Sequence, residues 1–227
     1  MSVLATQSRA GGVDRDSWCT PPEVLERVRA VAPIGLDPCS QPHNPTGAAI
    51  WAVAPGAWPA GEPLPWSARI DGFSFPWAMH CPEGSLVWVN PPYSRGNLAP
   101  WTARCRSEAE SGAEVIALVP ADTSTDWWHE SCRPAVRLAL GAPCCAHASS
   151  STAHDDDGVC MSDGCPCAGR SLPIVLSGGA AAVCFLRGRL VFGGAPGPAP
   201  FASALIYHGP RPHRFAEVFS PSGAIWL

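Results

Sequence analysis

Short apolar segments alternate with a longer helix-periodic one through the middle of this chain. Leu86–Val89 and residues 114–119 predict buried strands, because each is an almost continuous apolar run of strand length. Residues 98–111 between them predict a helix with Trp101 and Ala109 on its inward face. A strand, a helix and a strand in this order form a βαβ unit, which implies that the two strands pair in parallel.

Another helix is predicted near the N-terminus. Thr20 suits the N-cap, Pro21 suits the first helical position, and Glu23 stands three residues after Thr20 and completes a capping box. Apolar residues follow at helical spacing until Pro33 ends the helix. Thr20 therefore has two interpretations, a helix cap and a ligand contact.

The other elements are less regular. Residues 41–69 predict a long loop, because they are rich in proline and show little periodicity. Residues 136–140 predict a strand, residues 183–192 a strand–turn–strand hairpin, and residues 204–207 a late strand. We therefore expect an α/β fold with a mostly parallel sheet and a C-terminal antiparallel hairpin.

Composition narrows the class of protein. The formal net charge is −4 and all fifteen basic residues are Arg, so the chain lacks the broad basic field of a tight nucleic-acid binder. No apolar run is long enough to span a membrane, and residues 1–12 lack the features of a signal peptide. With eleven cysteines and no export signal, we expect reduced thiols and a cytoplasmic location.

Residues 141–178 predict an insert within a single domain that spans residues 1–227. Most of this insert, residues 141–170, contains almost no large apolar side chains and cannot build a core of its own. Its cysteines and histidines outnumber the four ligands that zinc requires. Zinc in the 141–170 insert and a Cys-rich segment without metal are both open interpretations. The residues concerned are Cys144, Cys145, His147, Cys160, Cys165 and Cys167.

The predicted strand Leu86–Val89 runs into Asn90-Pro91-Pro92-Tyr93. Two consecutive prolines can continue neither a strand ladder nor a helix, so the chain must turn out of the sheet here. The turn holds an amide, a free backbone carbonyl and an aromatic ring together at the carboxyl end of a strand. Open α/β sheets bind their ligands at this end.

Two other polar segments are predicted on the same rim. Asp37 and Pro38 follow the short apolar segment 34–36. A carboxylate there suits a ligand's ammonium or hydroxyl group, or it caps its own turn. Asp126 and Trp127 follow the strand at residues 114–119, in a segment that predicts a short helix ending near residue 133.

Asn-Pro-Pro-Tyr after an apolar strand resembles the catalytic motif of amino-methyltransferases that use S-adenosylmethionine. The order of the surrounding motifs resembles phage-type DNA N6-adenine methyltransferases, the Dam family, over nearly the whole chain except residues 141–178. The resemblance implies a Rossmann-like methyltransferase fold, S-adenosyl-L-methionine as cofactor, DNA as partner, and the cytoplasm of a bacterial host if the gene is phage-encoded. The segments that carry it are residues 18–22, 36–39, 71–73, 89–93, 125–128, 186–192 and the strand around Leu205.

The resemblance also implies roles for the residues of the motif. The adenine N6 lone pair is delocalised into the ring, so this nitrogen is a poor nucleophile. The side-chain oxygen of Asn90 and the backbone carbonyl of Pro91 can each accept one N6–H and orient the nitrogen for attack. Pro92 keeps the turn rigid, and Tyr93 offers a face on which the base can stack. An adenine in a duplex must be flipped out to reach such a pocket.

Binding residues follow from the same resemblance. Asp37 would face the methionine ammonium group, Thr20 the methionine carboxylate, and Asp71 the adenosine moiety. The segment after Asp37 lacks the usual Gly-x-Gly loop of methyltransferases, a departure that the family shares. The cofactor-binding candidates are Trp18, Thr20, Asp37, Pro38 and Asp71. The substrate-binding candidates are Arg95, Asp126 and Trp127.

Other functions stay open beside methylation of adenine N6 in DNA. The same motif serves in methylation of a glutamine amide in a protein, and a catalytically idle DNA-binding or anti-restriction protein could keep the fold. N4-cytosine methylation is less favoured, because that chemistry usually carries Ser in place of Asn90. No separate target-recognition domain is visible, so we expect a short or relaxed DNA recognition sequence.

Overall fold

The computed structural model describes residues 15–132 and 179–227, together with the backbone of two short strands at residues 136–139 and 174–177. The predicted zinc ligands in residues 141–170 lie outside the described residues. Among the residues that are described, no group of three or more His, Cys, Asp or Glu side chains is placed to hold a metal ion, so nothing there supports zinc. No helix in the same residues is long and apolar enough to cross a membrane.

The described residues form five α-helices and ten short strands, with a short 3-10 helix at Arg15–Ser17. The helices are α1 (Pro22–Val31), α2 (Trp77–His80), α3 (Leu98–Glu110), α4 (Asp126–Ser131) and α5 (Pro212–Phe219). The strands are β1 (Ile34–Asp37), β2 (Ile50–Val53), β3 (Ala68–Ile70), β4 (Leu86–Val89), β5 (Val115–Pro120), β6 (Val136–Ala139), β7 (Ile174–Ser177), β8 (Ala182–Leu186), β9 (Ser203–His208) and β10 (Gly223–Trp226).

Eight of these strands form one sheet in the order β10-β8-β9-β5-β4-β1-β2-β3. Neighbouring strands pair in parallel in the part β5-β4-β1-β2-β3 of this order. The strands β9, β8 and β10 join the sheet by antiparallel pairing. The chain moves outward from β1 through β2 to β3 and then returns to β4 on the other side of β1. The strand order therefore reverses between β1 and β4, and the carboxyl ends at such a reversal are where open α/β sheets bind ligands.

Alternate side chains of the central strands enter two separate cores, one on each face of the sheet. On β4, Leu86 and Trp88 pack in the core that includes α1 and α5, and Val87 and Val89 pack in the core that includes α2, α3 and α4. All four side chains are fully buried. The turn that follows Val89 therefore starts from a strand that is held on both faces.

The central prediction from the sequence is confirmed. β4, α3 and β5 form the expected unit, and the two strands pair in parallel. The C-terminal antiparallel part is also present, but β8 pairs with β9 and β10. The predicted strand at residues 190–192 is wrong, because other contacts hold this segment: Phe192 stacks on Trp18, and the backbone of Gly193 pairs with that of Cys19.

Two further predictions are wrong. Residues 41–69 are not a continuous loop, since they contain β2 and the start of β3, which are too short to show periodicity in the sequence. Thr20 does not cap α1: the N-cap is Pro21, whose carbonyl accepts from Val24 and Leu25 backbone N–H groups, and no side-chain cap bond forms. The Thr20 side chain is instead buried in front of the helix.

Candidate active site at the carboxyl ends of β1 and β4

The turn after β4 holds the Asn90 amide in a defined orientation. Its Nδ2 donates to the backbone carbonyl of Trp18 at 2.9 Å, and its Oδ1 accepts from the Tyr93 hydroxyl at 2.7 Å. A backbone carbonyl can only accept, so the Trp18 carbonyl determines which end of the amide is the nitrogen. Oδ1 has a second lone pair, which leaves one acceptor position for a ligand N–H.

Tyr93 connects this turn to the neighbouring strand. Its hydroxyl also lies 3.2 Å from the Leu118 carbonyl of β5, and its half-buried ring meets Phe192 and Phe201 edge to face at centroid distances of 5.8 and 5.3 Å. Burial raises the pKa of Tyr93, so the phenol is neutral and keeps its proton to donate. The buried Pro91 accepts no hydrogen bond through its carbonyl from any residue that the structure describes.

Asp37 ends β1 and is only 3% exposed. Its carboxylate accepts from the Cys39 backbone N–H at 3.1 Å and from the Thr46 hydroxyl at 2.9 Å. No described Arg or His forms an ion pair with it. Burial raises the pKa of Asp37 to about 6, although these hydrogen bonds act in the opposite direction. A buried carboxylate without a counterion suits a cationic ligand.

Four buried polar side-chain atoms without a hydrogen-bond partner belong to segments that flank this carboxylate. Trp51 stands directly opposite Asp37 in the β1–β2 ladder, so the two side chains leave the sheet on the same face. The Ser40 hydroxyl is close enough to affect the carboxylate, and Thr20 follows Cys19, whose pKa is raised by burial and then by Asp37. Buried polar groups in proteins are normally bonded, so these donors are available to a ligand that carries acceptors. The unpartnered atoms are Trp18 Nε1, Thr20 Oγ1, Ser40 Oγ and Trp51 Nε1.

Cys39 joins the ends of the two strands. Its thiol lies against both the Asp37 carboxylate and the backbone N–H of Asn90, and burial followed by the Asp37 charge raises its pKa. The thiol is therefore neutral at ordinary pH. These contacts bring Asp37 and Asn90, which are 53 positions apart in the sequence, next to the same thiol.

Asp71 follows β3 in a strained turn beside Pro38. Its φ is +64°, in the left-handed region, and its Oδ1 accepts from the Phe73 backbone N–H at 3.0 Å. The next residue, Gly72, contacts the Pro38 backbone so closely that a Cβ would lie 2.0 Å from the Pro38 carbonyl oxygen. The turn therefore packs directly against the residue that follows Asp37.

The three substrate-binding candidates lie further out on the rim. Arg95 is exposed and forms no ion pair with any described residue. Asp126 is the exposed first residue of α4. Trp127 is half-buried and meets Trp128 edge to face at 5.9 Å. The described hydrogen bonds connect none of the three to Asp37 or Asn90.

Sequence reasoning did not select several residues of the cleft. Thr46 was included in the predicted loop at residues 41–69, and Ser40 carries no motif of its own. Phe201 has no local signal either, since its partner Tyr93 is more than a hundred positions away. Cys39 and Phe192 did have a signal, because each ends one of the segments that carry the family resemblance.

Comparison with known protein families points to the methyltransferases. The family model described as DNA N-6-adenine-methyltransferase (Dam) matches residues 75–140, which include α2, β4, the Asn90–Tyr93 turn, α3, β5 and α4. The resemblance expected from the sequence is thereby confirmed over this part of the chain. The searches of curated proteins and of solved structures returned no match.

Proposed function

We propose that this protein transfers a methyl group from S-adenosyl-L-methionine to N6 of adenine in DNA. The observation that carries the proposal is the pairing of Asn90, with its orientated amide, and Asp37, a buried carboxylate without a counterion, at adjacent strand ends. The Dam family match over residues 75–140 supports the same chemistry. The parallel order β3-β2-β1-β4-β5 supports a Rossmann-like methyltransferase fold.

The residues around Asp37 fit the cofactor. When bound, S-adenosyl-L-methionine supplies a methyl group on a positively charged sulfur, which accepts attack by a nitrogen lone pair. Its methionine end carries an ammonium and a carboxylate group. Asp37 offers a buried anion for the ammonium, and the unpartnered donors of Thr20, Ser40 and Trp51 offer hydrogen bonds for the carboxylate. Pro38 and Asp71 border this side of the cleft and are our candidates for the adenosine side.

The turn after β4 fits the acceptor. Asn90 Oδ1 and the Pro91 carbonyl are two acceptors on one rigid segment, and an exocyclic amine has two N–H groups to donate. Accepting both hydrogens orients the nitrogen lone pair away from the turn. The Trp18 carbonyl keeps the Asn90 amide in the required orientation, and Tyr93 offers a ring edge or face to a flipped base. Pro92 has no backbone N–H to donate, so the chain cannot continue the strand ladder at this position.

We assign DNA contact to Arg95, Asp126 and Trp127, which follow the carboxyl ends of β4 and β5 in the chain. Arg95 is exposed and has no counterion among the described residues, which suits a phosphate group. Trp127 presents a half-buried ring, and Asp126 is exposed beside it.

We further propose that residues 1–227 form one methyltransferase domain with an insert at residues 141–178, acting in the cytoplasm.

Transfer of tritiated methyl groups from S-adenosyl-L-methionine tests this function directly. We expect label in unmodified DNA and N6-methyladenine among the digested nucleosides. Label in a glutamine-containing protein acceptor but not in DNA would instead favour protein methylation. Cofactor binding without transfer to either acceptor would favour a catalytically idle DNA-binding protein.

Asn90→Ala should lower the transfer rate by at least about 1000-fold, because it removes an acceptor that orients the reacting amine. Asn97→Ala is a matched control: Asn97 bonds only the Ser94 side chain and its own helix start, so its loss should change the rate by less than about tenfold. Thermal unfolding checks that both variants fold. Full activity in Asn90→Ala would refute its assigned role.

A further inference from the structure

The Asp71–Gly72 turn is held between the sheet and α3 by contacts from opposite sides. On the sheet side, the Asp71 backbone N–H donates to the Val53 carbonyl at 2.8 Å, and Gly72 lies against the Pro38 carbonyl with no room for a Cβ. A small displacement of this turn toward the sheet is therefore blocked by steric contact. The hydrogen bond to Val53 also resists displacement away from the sheet, and a second restraint in that direction comes from a side chain next to α3.

Trp77 provides that restraint. Its ring is 0% exposed, and its indole Nε1 donates to the Gly72 carbonyl at 2.7 Å. Glu108 of α3 holds Trp77 in turn, since one carboxylate oxygen accepts the backbone N–H groups of Trp77 and Ala78 at 2.8 and 2.9 Å. Arg104 bonds the other oxygen at 2.7 Å and lies 5.5 Å from the Trp77 ring centroid.

We propose that Trp77 is a positioning residue for the cofactor: its indole N–H holds the Asp71–Gly72 turn against Pro38, so that the turn is in place before S-adenosyl-L-methionine binds. This inference rests on the proposed function. α3 begins just after the Asn90–Tyr93 turn, so the helix that follows the acceptor side also anchors the cofactor side through Glu108. Trp77 touches neither Asn90 nor Asp37 in the described hydrogen bonds, and it therefore acts on binding and not on chemistry.

Trp77→Phe keeps a buried ring and removes the N–H. We expect the dissociation constant for S-adenosyl-L-methionine, measured by calorimetry without DNA, to rise roughly tenfold, because the Gly72 carbonyl loses its partner and the turn loses one of its restraints. KM for the cofactor should rise by a similar factor, whereas kcat at saturating cofactor stays within about twofold. Trp128→Phe is the control: it removes the same atoms from another buried site on the same face of the sheet, and cofactor affinity should not change.

Gly72→Ala tests the same turn from the sheet side and covers the case in which Trp77→Phe does not fold. The new Cβ must displace the turn from Pro38, so we expect the same selective loss of cofactor affinity. Gly197→Ala is its control, since a Cβ there meets nothing within 4 Å. If the unchanged protein binds S-adenosyl-L-methionine and both turn variants bind it equally well, the role of Trp77 is overturned. If the unchanged protein does not bind the cofactor at all, the proposed function is refuted, and the inference about Trp77 that rests on it is refuted as well.

Discussion

Two buried carboxylates at opposite ends of the parallel strands have contrasting surroundings. Glu114 precedes β5 at its amino end, and its oxygens accept from the Tyr207 hydroxyl at 2.7 Å and from Arg211, which forms an ion pair with it. Asp37 lies at the carboxyl end of β1 and accepts from neutral groups, the Cys39 backbone N–H and the Thr46 hydroxyl. One buried anion has its counterion within the described chain, and the other has none.

This difference distinguishes a structural acid from a binding acid. Glu114 ties β5 to β9 and to the start of α5 through Tyr207 and Arg211, so its charge is balanced by the fold. Keeping Asp37 buried and ionised costs free energy in the unliganded protein, and a bound cation can offset that cost. The uncompensated acid is also the one that lies where the strand order reverses.

Asp37→Asn should have the largest effect on ligand binding. The substitution keeps the shape and removes the charge, so we expect affinity for S-adenosyl-L-methionine to fall on the order of 100-fold, as for loss of a charge-assisted hydrogen bond. The free energy of unfolding of the unliganded protein at neutral pH should rise, because a buried charge without a counterion is gone. Calorimetry and denaturant titration measure the two effects. Unchanged affinity would remove Asp37 from the site.

Glu114→Gln is the corresponding substitution at the structural acid. It leaves Arg211 without its ion-pair partner, and we expect the free energy of unfolding to fall by about 2 kcal/mol, less than for a fully buried pair because the Arg211 side chain is 40% exposed. Cofactor affinity should stay within about twofold, since Glu114 is at the other end of the strands. If Glu114→Gln weakened binding as strongly as Asp37→Asn does, the proposed contrast between the two acids would be wrong.

The pH dependence of stability should show the same contrast. Burial raises the pKa of Asp37 from an ordinary value near 3.8 to about 6, so the folded protein holds this proton more tightly than the unfolded chain. The stability contribution of the protonated carboxyl is present below about pH 4 and is lost as the pH rises through 6, a change on the order of 3 kcal/mol. Cofactor affinity should rise over the same interval as the carboxylate forms. The lowered pKa of buried His208, about 4, adds a stability change of opposite sign in this interval, so the Asp37 contribution is measured as a difference between two proteins. Denaturant titrations from pH 4 to 7 should show that the unchanged protein loses stability relative to Asp37→Asn as the pH rises.

Trp51→Phe should have the smallest effect. The Trp51 indole N–H is buried without a partner on the same side of the sheet as Asp37. If it donates to the cofactor carboxylate, its removal should weaken binding by about threefold to tenfold with little loss of stability. Trp58→Phe is a suitable control, because the Trp58 indole bonds a backbone carbonyl in an outer loop. Equal cofactor affinity in Trp51→Phe and the unchanged protein would place Trp51 outside the binding site.

The local pattern of the sequence was sufficient for the centre of the fold. β4 and β5 are apolar runs that are buried at every position, and α3 between them has helical periodicity, so the apolar pattern predicts all three and their parallel pairing. β2, β3 and α2 are short elements that lie among prolines and turns, so the segments that contain them resemble loops in the sequence. The pairing of β8 with β9 instead of residues 190–192 depends on contacts of that segment with Trp18 and Cys19, far away in the chain.

For the candidate site, the local sequence is enough to predict the chemistry of single segments. Two prolines after an apolar strand force a rigid turn, and this places Asn90 and Tyr93 at a strand end whatever the rest of the chain does. Which other groups meet there depends on the packing of distant segments. The Trp18 carbonyl orients Asn90, Thr46 bonds Asp37, and Trp77 holds the turn beside Pro38. These contacts join separate segments of the chain, and hydrogen bonds between them depend on how the strands and helices pack, which no local pattern encodes.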